Sequence, residues 1–579
     1  MRSLLLSMVL SSFAISGCVH QDPPAAPAAA KTAAADFAAF VDRYFEAGFA
    51  FSPTSATSTG IHSYDDKLEN RSKTNLDRRL AELKEFSKQL ASIPIADLDF
   101  DSAIDAKAMR ARIAADIFQM EGLQQWQRNP MSYAGLPGSS VDVLIKRNFA
   151  PAPERLKSVI SRLKGIPDLY QAARENLVNP PKEYTDLALR MAQGSVGYLA
   201  KSLDTWAKSA AGSDHALYEK FRAANRDAIT EAKLFVVWLE KDLLPRSKGS
   251  YAIGESAFLT LLRNEEMVDT TLADLLKIGE AQLQKDYDAF VSTAQVINPK
   301  KTPAQVMKML SDEHPKPNDL IPSVRRTLEE ARAFLIAKDI ITVPSEVRPH
   351  VEETPPYDRS GTFASMDTPG PEETKATEAF YYVTPVEANW TALHKEQHLR
   401  GYNPYVVSII NVHEAFPGHF LQFLYAAKYP TKTRKMISSS SNAEGWAHYT
   451  EQMMVDSGFG NNNPKIRLAQ LQEALLRDCR FIVGIKLHTA GWSVEQGAQF
   501  FEKKGFQEPA NAYEEARRGS YNPTYLYYTL GKLEIQKLRD EYRAQSGASL
   551  KQFHDAFVTQ GALPIPLIRE ILLKKPKAG

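Results

Sequence analysis

Apolar side chains recur at helical spacing along almost the whole chain from Asp36 onward, and this periodicity constrains the fold more than any other feature of the sequence. The segment 271–294 is one example, with its apolar residues mostly on one side of a helix. Helix-start signals accompany the pattern: Thr302 precedes a proline, and Ser493-x-x-Gln496 has the spacing of a capping box. The sequence therefore predicts a mostly α, large multi-helical protein.

Strand signals are few and short. Residues 347–354 alternate weakly, and Pro349 restricts them to an edge strand. The aromatic segment 379–384 is the other predicted strand. Residues 380–384 would either pair with an extended peptide at a sheet edge or form a small structural hairpin. The polar stretch 355–373 between them carries proline and glycine and is predicted to be a loop. We expect a few short β-strands within the helical fold.

Composition excludes several classes of protein. The chain has 579 residues, with 70 Lys and Arg against 69 Asp and Glu. This balance argues against non-specific nucleic-acid binding and against a polybasic membrane surface, both of which need a basic excess. Only two cysteines are present, Cys18 and Cys479, which excludes a disulfide scaffold and a zinc site built from several thiolates. Any metal must be held by histidines and carboxylates.

The N-terminus has the features of a bacterial lipoprotein signal. An apolar run over 4–15, too short to span a bilayer, leads to Ile15-Ser16-Gly17-Cys18, which resembles a lipobox. We expect residues 1–17 to be a signal peptide, 18–35 a lipidated cysteine with an Ala/Pro-rich tether, and 36–579 a single helical domain with two lobes around a cleft. The expected location is the cell envelope, lipid-anchored, at the periplasmic face or outer membrane of a Gram-negative bacterium, since no Asp follows Cys18.

The residues with the clearest chemistry lie between 411 and 451. Three of the 12 histidines fall within 36 residues, 413–448. His413-Glu414 followed by His419 is similar to the zincin helix, in which two histidines bind zinc and the glutamate is the general base. On a straight helix a spacing of six residues turns the two histidines about 240° apart. Pro417 and Gly418 lie in the gap, and we expect a local bulge there to restore convergence.

A second segment supplies a carboxylate for the same ion. Glu444 lies 31 residues after His413, in the segment Glu444-Gly445-Trp446-Ala447, as in zincins that take their third ligand from a following helix. Glu444 and His448 are four residues apart on one helical face, so His448 would replace His419 if His419 does not reach the ion. Three protein ligands leave a position for water, which is typical of catalytic Zn²⁺ sites. Glu414 would then take the proton of that water.

His-Glu-x-x-Pro-Gly-His with a downstream Glu-Gly-Trp-Ala resembles the bacterial domain-of-unknown-function 885 family, which is grouped with the Glu-type zinc peptidases, the gluzincins. The resemblance covers nearly all of the predicted body. It implies a gluzincin-like metallopeptidase fold, with the short strands beside an active-site cleft. It also implies that His413, His419 and Glu444 are the zinc ligands and Glu414 is the base. It implies no particular substrate.

A zinc peptidase also needs a group that stabilises the oxyanion. The candidates are Tyr528, Arg518 and His488, and we favour Tyr528. The predicted function is zinc-dependent hydrolysis of a peptide or small amide outside the cytoplasm. The alternatives are an amidase or esterase on the same metal site, and a catalytically inactive helical lipoprotein that acts as a binding or envelope-assembly factor.

Overall fold

The structure is a computed structural model, and it describes residues 28–355, 359 and 363–574. The predicted signal peptide and Cys18 lie outside the described residues. Helix α1 begins at Ala28, so residues 28–35, the last part of the predicted tether, are helical. The physical reason is the alanine-rich composition of the segment, because alanine has the highest helix propensity.

Helices account for most of the chain before residue 340. They are α1 (Ala28–Phe51), α2 (Pro53–Thr59), α3 (Lys73–Ser92), α4 (Phe100–Ile117), α5 (Gln125–Arg128), α6 (Met131–Ala134), α7 (Leu136–Ile145), α8 (Ala152–Lys164), α9 (Ile166–Asn176), α10 (Lys182–Ala200), α11 (Ser202–Ala211), α12 (His215–Trp238), α13 (Leu244–Arg246), α14 (Glu255–Glu266), α15 (Leu272–Ile297), α16 (Pro303–Ser311) and α17 (Leu320–Ala337).

A small sheet follows α17. Its strands are β1 (His350–Glu353), β2 (Ala364–Asp367) and β3 (Phe380–Val383), in the order β1-β3-β2. Strand β3 is central and buried, parallel to β1 and antiparallel to β2. Two of these strands were predicted, β1 at an edge and β3. The predicted loop 355–373 is wrong where it contains β2, because β2 is stabilised by pairing with β3 and has no alternating pattern of its own.

The helices after the sheet carry the histidine motif. They are α18 (Ala392–Arg400), α19 (Pro404–Glu414), α20 (His419–Leu424), α21 (Lys432–Met436), α22 (Ser440–Asp456), α23 (Pro464–Thr489), α24 (Val494–Gly505), α25 (Pro509–Tyr521), α26 (Tyr527–Ser546), α27 (Leu550–Val558) and α28 (Ile565–Leu572). None of the helices that the structure describes combines the length and the apolar character needed to cross a bilayer.

The predicted helix starts are observed. Thr302 and Ser493 both form complete capping boxes, with Gln305 and Gln496, at the beginnings of α16 and α24. Thr271 caps α15 through the backbone N–H of Asp274. These bonds satisfy N–H groups that have no partner within the helix. The mostly helical fold predicted from the periodicity is confirmed.

Two large hydrophobic cores organise the molecule. One consists of residues between 131 and 243, together with Ala376. The other joins the N-terminal helices α1, α3 and α4 to α15–α17, the sheet and the C-terminal helices. A cleft of about 1630 Å³ is lined by residues of both parts, from Met131 and Arg190 on one side to α19, α22, α23 and α25 on the other. The motif residues His413, Glu414 and His419 lie on this second side.

Candidate metal centre

The segment between His413 and His419 is a turn between two helices. Helix α19 begins with Asn403 as its cap and ends at Glu414; α20 begins at His419. The backbone N–H of Gly418 donates to Val412 O at 2.9 Å, which brings the turn back over the end of α19. A Cβ atom at Gly418 would lie 1.7 Å from His413 O, so only glycine fits. The expected bulge within one helix is therefore wrong; a second helix presents His419.

Helix α22 holds this turn in place and carries Glu444. Trp446 Nε1 donates to Pro417 O at 2.8 Å. The N-terminus of α22 is bound by Glu266 of α14, whose carboxylate accepts from the N–H groups of Ser440 at 3.1 Å and Ser441 at 2.9 Å. A carboxylate at this end of a helix satisfies unpaired N–H groups and complements the helix dipole. Trp446 of the Glu-Gly-Trp-Ala segment thus has a structural role.

Helices α22 and α26 cross at unusually short range. A Cβ atom at Gly445 would lie 2.5 Å from Gly531 Cα, and a Cβ atom at Gly531 would lie 1.8 Å from Ser441 O. The absence of side chains at both positions lets the two backbones meet. Gly445 follows Glu444, and Gly531 lies one turn after Tyr528, so the crossing brings these two side chains into the same region.

His413, His419 and Glu444 converge. Glu444 Oε2 lies 3.3 Å from His413 Nε2 and 3.2 Å from His419 Nε2. All three atoms lie within 4.8 Å of one another. Tetrahedral zinc with bonds of about 2.0–2.1 Å sets its ligand atoms about 3.3 Å apart. Glu444 Oε2 is buried and has no hydrogen-bond partner among the residues described. The donor set and its spacing therefore fit a zinc ion.

The charged side chains of the cluster shift one another's pKa values. Burial alone would lower the pKa of His413, but the carboxylates of Glu444 and Glu451 outweigh it and raise that pKa to about 9. Burial alone would raise the pKa of Glu444, but His419 and His413 hold it well below its usual value. A divalent cation would take over this stabilisation of the carboxylate, because ligand histidines bind metals in their neutral form.

Glu451 is a functional candidate that the sequence analysis missed. His413 Nδ1 lies 2.7 Å from Glu451 Oε1, and this hydrogen bond leaves Nε2 of the ring for an ion. Carboxylates in this position fix the orientation of metal-binding histidines. The available signal was spacing, because Glu451 follows Glu444 by seven residues and so lies on the same face of α22.

His448 belongs to the layer behind the cluster. Its Nδ1 lies 3.2 Å from Glu451 Oε2, and the residue is fully buried. In this structure His419, and not His448, converges with His413 and Glu444, while Glu451 contacts the ring of His448. Burial and the nearby Lys532 lower the pKa of His448 to about 4.

Tyr528 and Arg518 lie beside the cluster, whereas His488 does not. The rings of Tyr528 and His413 are 6.2 Å apart between centroids, and Arg518 Nη2 donates to Tyr528 Oη at 3.0 Å. Both residues line the cleft, as does Glu414. His488 is buried, contacts Gly519 O through Nε2 at 2.7 Å, and is not among the residues that line the cleft. Burial accounts for its pKa, which is lowered to about 4.

The cleft brings one edge of the sheet near the cluster. Residues 363–366, mostly strand β2, line it. Strand β3 is paired on both sides, so 380–384 does not offer a free edge to a peptide, and the alternative of a structural strand is the one observed. The edge strand β2 occupies that position instead.

The fold and the site together define a mostly helical protein with two histidines and one glutamate converging in a large cleft. The chain belongs to the DUF885 family, since residues 53–572 match the family described as "Bacterial protein of unknown function (DUF885)". No curated protein matches the sequence.

Two solved structures are similar to this chain over nearly its whole length. One is a predicted lipoprotein of unknown function from Shewanella oneidensis, 27% identical, with a TM-score of 0.76, covering 93% of this chain and 100% of that one. The other is a predicted lipoprotein from Colwellia psychrerythraea, 18% identical, with a TM-score of 0.77, covering 94% and 98%. The second likeness concerns the fold alone.

Proposed function

We propose that this protein is a zinc-dependent hydrolase of peptide or related amide bonds. The observation that carries the proposal is the convergence of His413, His419 and Glu444, with Glu414 beside His413 in the same cleft. The order along the chain, two histidines followed by a glutamate from a later helix, is similar to that of the gluzincins, but here the two histidines lie on adjacent helices. Three protein ligands would leave one position of a tetrahedral ion open.

The residues around the cluster have roles in such a reaction. Zinc supplies Lewis acidity, which polarises a carbonyl and makes water more acidic. Glu414 takes the proton of the attacking water and delivers it to the leaving amine. Tyr528 Oη accepts a hydrogen bond from Arg518, so its own proton is left to donate to the oxyanion. Peptide cleavage then consumes one water and yields a carboxylate and an amine.

The proposed location is the cell envelope, with the chain anchored through a lipid on Cys18. The lipobox-like segment supports this, and the similar structure from Shewanella oneidensis belongs to a protein that is itself a predicted lipoprotein. The cleft would then face peptides or small amides outside the cytoplasm. Strand β2, whose outer edge pairs with no strand among the residues described, would align an extended substrate.

Hydrolysis of a peptide library by the zinc-loaded protein tests the proposal. The wild type is expected to cleave a subset of peptides, and Glu414→Gln is expected to lose at least about 100-fold in rate while keeping its metal, because it lacks the base. Glu502→Gln is the matched control, since Glu502 is an exposed glutamate that lines the same cleft. A folded, zinc-loaded wild type without turnover on any peptide or amide would overturn the proposal and favour the binding lipoprotein.

A further inference from the structure

Three arginines surround the ring of Tyr528. The guanidinium carbons of Arg477, Arg480 and Arg518 lie 6.0, 4.8 and 5.9 Å from its centroid. Such a concentration of positive charge next to a site for a cation is costly unless carboxylates offset it. The three arginines differ in whether they have such partners.

Two of the arginines are neutralised. Arg480 forms a bidentate pair with Glu515, with both N–O distances 2.7 Å. Arg477 pairs with Glu473, and its Nη2 lies 3.4 Å from Glu451 Oε1. These two guanidinium groups therefore leave little net charge for a ligand.

Arg518 differs from the other two arginines in its lack of a carboxylate partner among the residues described. No carboxylate lies within 4 Å of its guanidinium in the part of the chain that the structure describes, and its one hydrogen bond there goes to Tyr528 Oη. It is partly exposed and lines the cleft with Tyr528 and Glu444. Its remaining N–H donors are therefore open to an anion in the cleft, although the more distant carboxylates of Glu515 and Glu444 also act on its charge. A guanidinium binds a carboxylate best, because two parallel hydrogen bonds can form.

We propose that Arg518 binds the terminal α-carboxylate of the substrate, so that the enzyme removes the C-terminal residue of a peptide. This inference rests on the proposed hydrolase function. A peptide chain advances at most about 3.3–3.6 Å per residue. Arg518 Cζ lies 5.9 Å from the centroid of the Tyr528 ring, and the His413 ring lies 6.2 Å from it on centroids. Their separation is therefore at most about 12 Å, which leaves room for one residue between a carboxylate bound to Arg518 and a carbonyl at the metal cluster. Water is added across the last amide bond, which breaks, and the products are a shortened peptide and one amino acid.

Binding of peptides to the full-length protein tests the inference. Glu414→Gln serves as the background so that no turnover occurs. The probes are one labelled peptide as free acid, the same peptide as C-terminal amide, and an amide whose last residue is Glu. The free acid is expected to bind at least about 10-fold more tightly than either amide, the effect of losing hydrogen bonds to a charged group. Arg518→Gln is expected to abolish this preference.

Two further variants separate carboxylate recognition from other effects. Arg400→Gln removes an arginine that lines the same cleft but is already paired with Asp312, and it is expected to keep the preference. Tyr528→Phe is also expected to keep the preference for the free acid. In protein that retains Glu414, Tyr528→Phe is expected to lower turnover of the free acid, because the hydroxyl that Arg518 positions as a donor to the oxyanion is missing.

The outcomes are distinguishable. Equal binding of acid and amide, binding of neither, or a preference that survives Arg518→Gln overturns the inference. Tight binding of the amide ending in Glu overturns it in favour of a side-chain carboxylate. Cleavage of amidated and free peptides at equal rates overturns it and leaves the hydrolase function intact. An Arg518-dependent preference without any hydrolysis supports the carboxylate site and overturns the hydrolase.

Discussion

At the scale of single residues, Glu451 connects the candidate metal centre to the interior. Its carboxylate contacts His413, His448 and Arg477. Burial alone would raise the pKa of Glu451, but Arg477, His448 and His413 hold it well below its usual value. An ionised carboxylate at this position fixes the ring of His413 with Nε2 directed to the cluster.

Replacing Glu451 tests this positioning role. Glu451→Gln is expected to weaken zinc affinity about 10–100-fold, because it removes the charged partner of a ligand histidine. The measurement is competition with a chelator of known affinity. Glu473→Gln is the control, since Glu473 also contacts Arg477 and is not a partner of His413. Unchanged affinity in Glu451→Gln would show that His413 needs no such support.

The candidate site shows which functional residues can be predicted from neighbouring residues in the sequence. His413, Glu414 and His419 were identifiable because they form one short contiguous motif, although the turn that separates their two helices was not predicted. Glu444 was identifiable through its helix and its spacing. The exclusion of His488 from the cleft and the contact of His413 with Glu451 depend on packing between helices far apart in the chain, which periodicity does not encode.

At the scale of elements, the α22–α26 crossing brings Glu444 and Tyr528 into the same region, close enough for the charge of Glu444 to act on the Tyr528 hydroxyl. Its short range depends on Gly445 and Gly531. The capped starts of α15, α16 and α24 were predictable, because a cap is formed by residues within one turn. Strand β2 was not, because it exists only through pairing with β3, and none of its residues is fully buried.

Adding a methyl group at the crossing tests its importance. Gly531→Ala is expected to lower the free energy of unfolding by about 3 kcal/mol or more and to weaken zinc binding, because the new Cβ meets the backbone carbonyl of Ser441. Gly197→Ala on α10 is the control: nothing lies within 4 Å of its Cβ position, and alanine favours the helix. Urea denaturation measures both. Equal stability of Gly531→Ala and wild type would contradict the crossing.

At the scale of the whole molecule, two hydrophobic cores flank one cleft, and the candidate metal centre lies on the side of the larger core. The mostly helical class followed from the periodicity, since burial of a helix needs a stripe of apolar residues. The arrangement of the two cores relative to each other could not be predicted. An apolar stripe shows that a helix is buried, but it does not show which element the helix packs against.

Stability should depend on pH through Glu534 of α26. Burial and the nearby Glu266 raise the pKa of Glu534 from 4.5 to about 8, although Lys537 and Arg569 act in the opposite direction. The folded state keeps a proton there that the unfolded chain releases between these two pH values. The contribution of Glu534 to the free energy of unfolding is therefore greatest below pH 4.5, and it is lost as the pH rises toward 8.

Glu534→Gln is expected to reduce this decline in the free energy of unfolding, by on the order of 2–4 kcal/mol between about pH 5 and about pH 8.5. Urea denaturation at several pH values measures it. Glu502→Gln, at an exposed position, is expected to leave the slope unchanged. The same pH slope in Glu534→Gln and wild type would show that Glu534 titrates normally in the folded protein.

Elemental analysis of the purified full-length protein tests the central claim most directly. The account predicts about one zinc per chain, lost in His413→Ala and Glu444→Ala and retained in His448→Ala, whose side chain lies behind the site. Circular dichroism confirms that each variant is folded. Well-folded wild-type protein that takes up no metal after zinc addition, or zinc that persists in both His413→Ala and Glu444→Ala, would contradict the account.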